Sequence, residues 1–132
     1  MNSYEFYAFG HPCITATHRT TLEFTRDADV TKRGDCILGA SSTFSAKGLN
    51  DVVAWDRVRV RMQVGDEEAR MEATINPAFS DEREMVFRTS DFLSERTLGT
   101  RATIAAKDIP RTMVDSMKGP TTRMRVIIEQ KV

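Results

Sequence analysis

Arg57-Val58-Arg59-Val60-Arg61-Met62-Gln63-Val64, then Gly65-Asp66, then Glu67-Glu68-Ala69-Arg70-Met71-Glu72-Ala73: this stretch decides the class of fold. Val58, Val60, Met62 and Val64 recur at every second position. A period of two sends them to one face of a strand and Arg57, Arg59, Arg61 and Gln63 to the other. Gly65-Asp66 is a two-residue hairpin turn. It pairs Val64 with Glu67, Met62 with Ala69, Val60 with Met71 and Val58 with Ala73, which keeps the apolar sets on one face. The same register sets Arg59 opposite Glu72.

Working outward, the N-terminal run Ser3 to Phe9, rich in aromatics, suits a half-buried strand that His11-Pro12 ends. Ile14, Ala16, His18, Thr20, Leu22 and Phe24 alternate with polar residues, which predicts a strand with that set inward. Cys36 to Thr43 is a third strand, and Leu49, Val52, Val53 and Trp55 give a short helix. The second half repeats the order: a strand from Ala69 to Ile75 ended by Asn76-Pro77, strands from Arg83 to Arg88 and from Thr97 to Ile104, a helix, and a last strand from Arg123 to Glu129. Asp108 is placed to cap that helix, Pro110 to sit in its first turn and Gly119-Pro120 to end it, with Ile109, Met113, Val114 and Met117 on its apolar face.

Leu38-Gly39 matches Leu98-Gly99, Thr43 matches Thr103, and Ala46-Lys47 matches Ala106-Lys107, all in one register. The expectation is a single domain over 1–132 made of two pseudo-repeats, 3–64 and 68–130. The fold class is mainly β with two short helices (α+β). Eight strands of this kind are best buried as a two-sheet β-sandwich.

Composition narrows the function classes. The 132 residues carry 19 basic and 19 acidic side chains, a net charge of zero, so no global field draws the protein to nucleic acid or to an anionic membrane. No apolar run approaches the roughly 20 residues of a membrane span, and the N-terminus lacks the features of a signal peptide. Both observations, with two unbridged cysteines, Cys13 and Cys36, predict a cytoplasmic protein.

Gly10-His11-Pro12 through Ala16-Thr17-His18-Arg19-Thr20-Thr21-Leu22-Glu23, then Thr31-Lys32-Arg33-Gly34-Asp35-Cys36-Ile37-Leu38-Gly39, resembles the signature of an archaeal family, the domain-of-unknown-function family 371. Arg88-Thr89-Ser90-Asp91-Phe92, Arg96-Thr97-Leu98 and Ala106-Lys107 extend the resemblance over nearly the whole chain. It implies an archaeal cytoplasmic protein with a mainly-β sandwich of jelly-roll type, and no particular activity. The chain departs from the family pattern at Cys13 and at the shortened turn Ile75-Asn76-Pro77.

Four site readings follow. The leading one is a pocket for a small anionic or polar ligand, built mainly by the first repeat from His18, Arg19, Thr20, Thr21, Arg33 and Asp35, with Arg96, Thr97 and Lys107 from the second. Guanidinium forks suit phosphate and carboxylate, and hydroxyls complete such a shell. Because alternation splits this set between two faces, its narrower form places His18, Thr20 and Cys36 inward, with Arg33 and Arg96 reaching over them. A second reading makes Cys36 a nucleophile activated by Arg33 and His18, with Asp35 or Glu23 orienting the imidazole. A third gathers His11, Cys13, His18 and Cys36 as nitrogen and sulfur ligands for zinc, although their spacing is unlike a zinc finger. In the fourth, Arg57, Arg59, Arg61, Arg123 and Arg125 form an outward ladder facing nucleic acid or a protein partner, opposed by nearby glutamates. The strand edges of an open sandwich would also suit a homodimer.

Overall fold

The alternating stretch forms the longest hairpin of the molecule, β4 (Arg57–Val64) and β5 (Glu67–Ile75), with every predicted partner in register, Arg59 opposite Glu72 included. Gly65 takes a positive φ of 56° at the first loop position, a conformation that costs glycine nothing. The computed structural model describes residues 2–132. Six further strands complete it: β1 (Ser3–Phe9), β2 (Thr21–Thr25), β3 (Ile37–Gly39), β6 (Glu84–Arg88), β7 (Thr97–Thr100) and β8 (Arg123–Gln130). Helix is scarce. Single 3-10 turns occur at Val52–Ala54 and Ala106–Asp108, and α1 spans Arg111–Ser116.

All eight strands belong to one mixed sheet, in the order β1-β8-β4-β5-β7-β6-β2-β3, where the alternation predicts two sheets. The ends of that order meet. Phe9 N–H donates to Ala40 O and Ala40 N–H to Phe9 O, both at 2.7 Å, so the hydrogen bonding returns to its start around a single core. This return, with Thr43 N–H donating to Tyr7 O, covers part of the β1 edge, while β5 pairs β7 only at Thr74 and Ile75. Phe6 fills the centre, edge-on to Phe24 and Phe44 with ring centroids 5.4 Å away in each case. Each such ring, fully buried, contributes about 1.5–3 kcal/mol.

Four expectations need correction. Residues 10 to 20 are a loop: Ile14 and Ala16 are buried as the alternation requires, but Thr17 and His18 donate their N–H groups to Asp35 O, not to a ladder. The third strand is only Ile37–Gly39, and the strand expected from Thr97 to Ile104 stops at Thr100. Asp108 does not cap α1, whose N-cap is Pro110; its Oδ2 instead accepts Ala105 N–H at 3.0 Å, inside the preceding 3-10 turn.

The same local geometry occurs in each half. β2 pairs β3 in parallel with a bulge between Glu23 and Phe24, and β6 pairs β7 in parallel with a bulge between Val86 and Phe87. Gly39 and Gly99 each lie where a Cβ would meet an alanine Cβ, of Ala8 at 2.5 Å and of Ala73 at 2.9 Å. Ser41 and Arg101, just beyond β3 and β7, share a positive φ of 46° and 50°. Thr43 Oγ1 accepts Tyr7 N–H, and Thr103 Oγ1 accepts Glu72 N–H, both at 2.9 Å. At the two proline turns, His11 Nδ1 accepts Cys13 N–H and Asn76 Oδ1 accepts Ala78 N–H, again both at 3.0 Å.

Candidate functional site

On β2 and β6, Leu22, Phe24, Met85 and Phe87 point into the core, which turns Thr21, Glu23, Thr25, Glu84, Val86 and Arg88 onto the opposite face. That face is not open. Glu23 is 5% exposed and Val86, its direct cross-strand partner, 2%. The backbone carbonyls just before β3 and β7 hold this arrangement, with Glu23 N–H donating to Cys36 O and Val86 N–H to Arg96 O. Cys36 and Arg96 therefore flank the Glu23–Val86 pair from opposite sides.

A cluster of ionisable groups results. Burial, reinforced by the Glu84 carboxylate, pushes the Glu23 carboxyl from 4.5 up to about 7, against the opposing pull of the Cys36 thiol, Arg96 and Arg88. Cys36 Sγ donates to Glu23 Oε1 at 3.5 Å. Burial and that carboxylate push the thiol up to about 12. Arg96 pairs with Glu84 at 2.6 Å. Arg88, half-buried, donates from Nε to Thr97 Oγ1 at 2.8 Å and lies 4.9 Å from the centroid of the exposed Phe92 ring. Neither partner is anionic, and desolvation, with Arg96 nearby, lowers its pKa. Ser94 Oγ and Thr97 Oγ1 are 2.9 Å apart, and an open cleft of about 430 Å³ beside Arg96 is lined by Asp81, Ser94 and Glu95 as well.

Of the predicted pocket residues, Thr21, Arg96 and Thr97 belong to this cluster, and Cys36 borders it. Thr21 draws the Cys36 thiol pKa down, against the larger effects of burial and Glu23. Arg19, Thr20 and Arg33 are exposed. His18 and Lys107 meet elsewhere, through a backbone bond from Lys107 N–H to His18 O at 3.0 Å, while Lys107 Nζ pairs with Asp108. Asp35 contributes its carbonyl to the Thr17 and His18 amides. The activated-thiol reading is corrected: Cys36 faces a carboxylate, not His18 or Arg33, and a neighbouring negative charge makes a thiolate harder to form.

The zinc set does not assemble. His11 Nδ1 is engaged by Cys13 N–H, His18 Nδ1 by the Thr20 and Thr21 amides at 3.2 Å, and Cys36 by Glu23. Among the described residues no group of three or more His, Cys, Asp or Glu is placed to hold a metal ion, and both cysteines are free thiols. On the arginine ladder, Arg57 meets Glu72, Arg61 meets Glu68 and Glu129, and Arg125 meets Glu5. Arg123 lies over the Tyr7 ring, 4.4 Å from its centroid.

The sequence assigns no site role to Glu84, Arg88 or Arg111, and it offers Glu23 only as a group to orient the His18 imidazole, whereas Glu23 meets the Cys36 thiol. Arg111 ties the loop to the far end of the chain: its guanidinium donates to Thr15 O, Ala16 O, Ala106 O and Ile109 O at 2.8–3.3 Å. It thereby holds Ala16 at a φ of 47°, a region an alanine enters only under constraint. One signal for the Glu23 cluster was legible: Val86, apolar on a face that alternation assigns to solvent, implies that something covers it.

These features define a class: a small, mainly-β protein on one eight-stranded mixed sheet, with a buried carboxylate and two arginines on its outer face. The chain belongs to the family described as domain of unknown function DUF371, whose model matches residues 6–131. It is similar to uncharacterized protein MJ0206 of Methanocaldococcus jannaschii, 31% identical over 121 residues that cover 84% of this chain and 87% of the relative. No helix among the described residues is long and apolar enough to cross a membrane.

Proposed function

We propose that the protein binds a small anionic ligand, a phosphate or carboxylate, on the outer face of β2 and β6, with Arg88 as its principal contact. One observation carries this reading: Arg88 is half-buried and desolvated with no ion pair, whereas Arg57, Arg61, Arg83, Arg96, Arg101 and Arg125 meet carboxylates and Arg59, also half-buried, stands opposite Glu72. A partly desolvated guanidinium without a counter-charge is costly, and an incoming anion would offset that cost. The Ser94 hydroxyl, held by the buried Thr97, supplies a neutral donor, and Glu23 in its neutral form supplies another. Asp81 and Glu95 make the adjoining cleft a poor anion seat, so the reading rests on the Arg88 side. The site draws on both halves of the chain and not mainly on the first.

The recurring registers support a second part of the reading, that the chain arose by duplication of a four-strand unit. Thr21, Glu23, Thr25 and Cys36 then stand where the other half has Glu84, Val86, Arg88 and Arg96. A cytoplasmic location accords with the two free thiols.

Sulfate tests the anion site without titrating itself. At fixed ionic strength near pH 6, where Glu23 is mostly neutral, sulfate is expected to raise the melting temperature relative to chloride, and the rise to shrink near pH 8 and vanish in Arg88→Gln. An equal rise in Arg88→Gln would overturn the assignment.

A further inference from the structure

We propose that a second site, sharing no residue with the Arg88 cluster, takes a small organic ammonium ion. A cavity of about 440 Å³ lies between the start of β1 and the segment around the first 3-10 turn, within the size range of small-molecule sites. Asn2, Ser3, Tyr4, Gly48, Asp51 and Trp55 line it, and no lysine or arginine does. The combination is two aromatic side chains, a carboxylate and neutral acceptors, with Val52 and Ala54 as aliphatic lining. Aromatic faces attract a cation through their quadrupole, indole most of all, and a carboxylate within the same wall adds a formal counter-charge. Among the described residues Asp51 forms no ion pair, unlike Asp27, Asp91, Asp108 and Asp115.

The wall is built and not incidental. Tyr4 Oη accepts Ser45 N–H at 3.3 Å, which fixes the ring against the Ser45–Gly48 turn. A Cβ at Gly48 would lie 2.8 Å from both Tyr4 Cε1 and Oη, so the close seat of the ring requires the absent side chain. Gly48 N–H donates to Ser45 Oγ at 2.9 Å and pins the turn from within. Asn2 donates its Nδ2 to Gln130 Oε1 at 3.1 Å, which leaves its own Oδ1 as an acceptor. An anion would find no donor side chain of opposite charge in this cavity, and an apolar ligand would leave the Asp51 carboxylate desolvated and unpaired.

Trp55 is the sole tryptophan of the chain, so the site carries its own reporter. The experiment titrates the protein with choline chloride, with its neutral isostere 3,3-dimethylbutan-1-ol and with sodium chloride, reading indole fluorescence. Choline is expected to give a saturable change, the isostere to bind at least about ten-fold more weakly, and sodium chloride to give a linear drift only. Asp51→Asn, an isosteric change at an exposed position, is expected to weaken choline binding roughly two- to five-fold with circular dichroism and melting temperature unaltered. An isostere that saturates at the same concentration as choline, an Asp51→Asn titration that overlays the unmutated protein, or the absence of saturation would each overturn the proposal. Arg88→Gln leaves this titration unchanged, which separates the two sites.

Discussion

Replacing Glu23 by glutamine should make the protein more stable at neutral and alkaline pH, the reverse of what loss of a native side chain usually does. Glu23 is 5% exposed, among the described residues its carboxyl accepts a hydrogen bond only from a thiol, and its pKa is shifted from 4.5 to about 7 chiefly by burial. The folded protein thus holds this proton more tightly than the unfolded chain does. The cost of Glu23 is absent below about pH 4.5, grows as the pH rises from there to about 7, and is constant above. At about 1.36 kcal/mol per unit, the displacement amounts to about 3 kcal/mol of destabilisation at pH 8. For a chain of this length that is roughly 10 °C in melting temperature. Glutamine keeps the shape and the acceptor for Cys36 without the charge. Urea unfolding of both proteins from pH 5 to pH 8 reads the effect as a difference of two curves, in which every other titrating group cancels. Glu23→Gln is expected to gain on the unmutated protein by about 3 kcal/mol across that range. A difference that stays flat with pH would refute the reasoning, since it would mean that Glu23 ionises in the folded protein as it does in the unfolded chain.

Three further outcomes follow from the same geometry. Arg111→Ala should cost about 1.5–3 kcal/mol, the range for lost bonds from a charged donor, and should speed hydrogen exchange at the Thr17 and His18 amides more than at Val60; equal protection of all three would show the loop to be held without it. Gly99→Ala should destabilise by about 1–3 kcal/mol, because the new methyl would lie 2.8 Å from Phe87 Cδ1 and 2.9 Å from Ala73 Cβ, whereas Gly65→Ala meets no neighbour and carries only the strain of its positive φ; chemical denaturation ranks the two. Cys36 should react slowly with an aromatic disulfide reagent at pH 8 and faster in Glu23→Gln, where the repelling charge is gone; equal rates would place the carboxylate's influence elsewhere.

The hairpin was legible because everything that fixes it is local: period two over Arg57 to Val64, a glycine at the turn, and a register that buries one set of side chains. The strand at β8 and the apolar face of α1 yield to the same argument. The loop from 10 to 20 does not, since Ile14, Ala16, Leu22 and Phe24 alternate as a strand would while Arg111 and Asp35, far along the chain, take the backbone groups a ladder would have used. Closure of the sheet escapes for a related reason. It depends on Phe9 meeting Ala40, a pairing that no periodicity announces. The site was half legible: Arg96 and Thr97 were picked out by residue type, but Glu23 and Arg88 acquire their character only from what covers them.

The placement of that cluster is a consequence of the sheet's symmetry. Glu23 pairs directly with Val86, and Arg61 with Ile127, each facing the residue in the position corresponding to its own. These two pairs mark where a two-fold axis relating the halves would enter and leave the sheet. On the duplication reading, an ancestor of two identical units would have set glutamate against glutamate at the first pair, or valine against valine. Two carboxylates packed together out of water repel strongly enough that one must keep its proton. Two valines would offer no chemistry at all. On the same reading, divergence would have given one half Glu23 and Cys36 and the other Arg88 and Arg96 beside Glu84, so that Glu23 meets a carboxylate and two guanidinium groups from the opposite half. The registers that make the two halves alike would then be what brings their differences face to face.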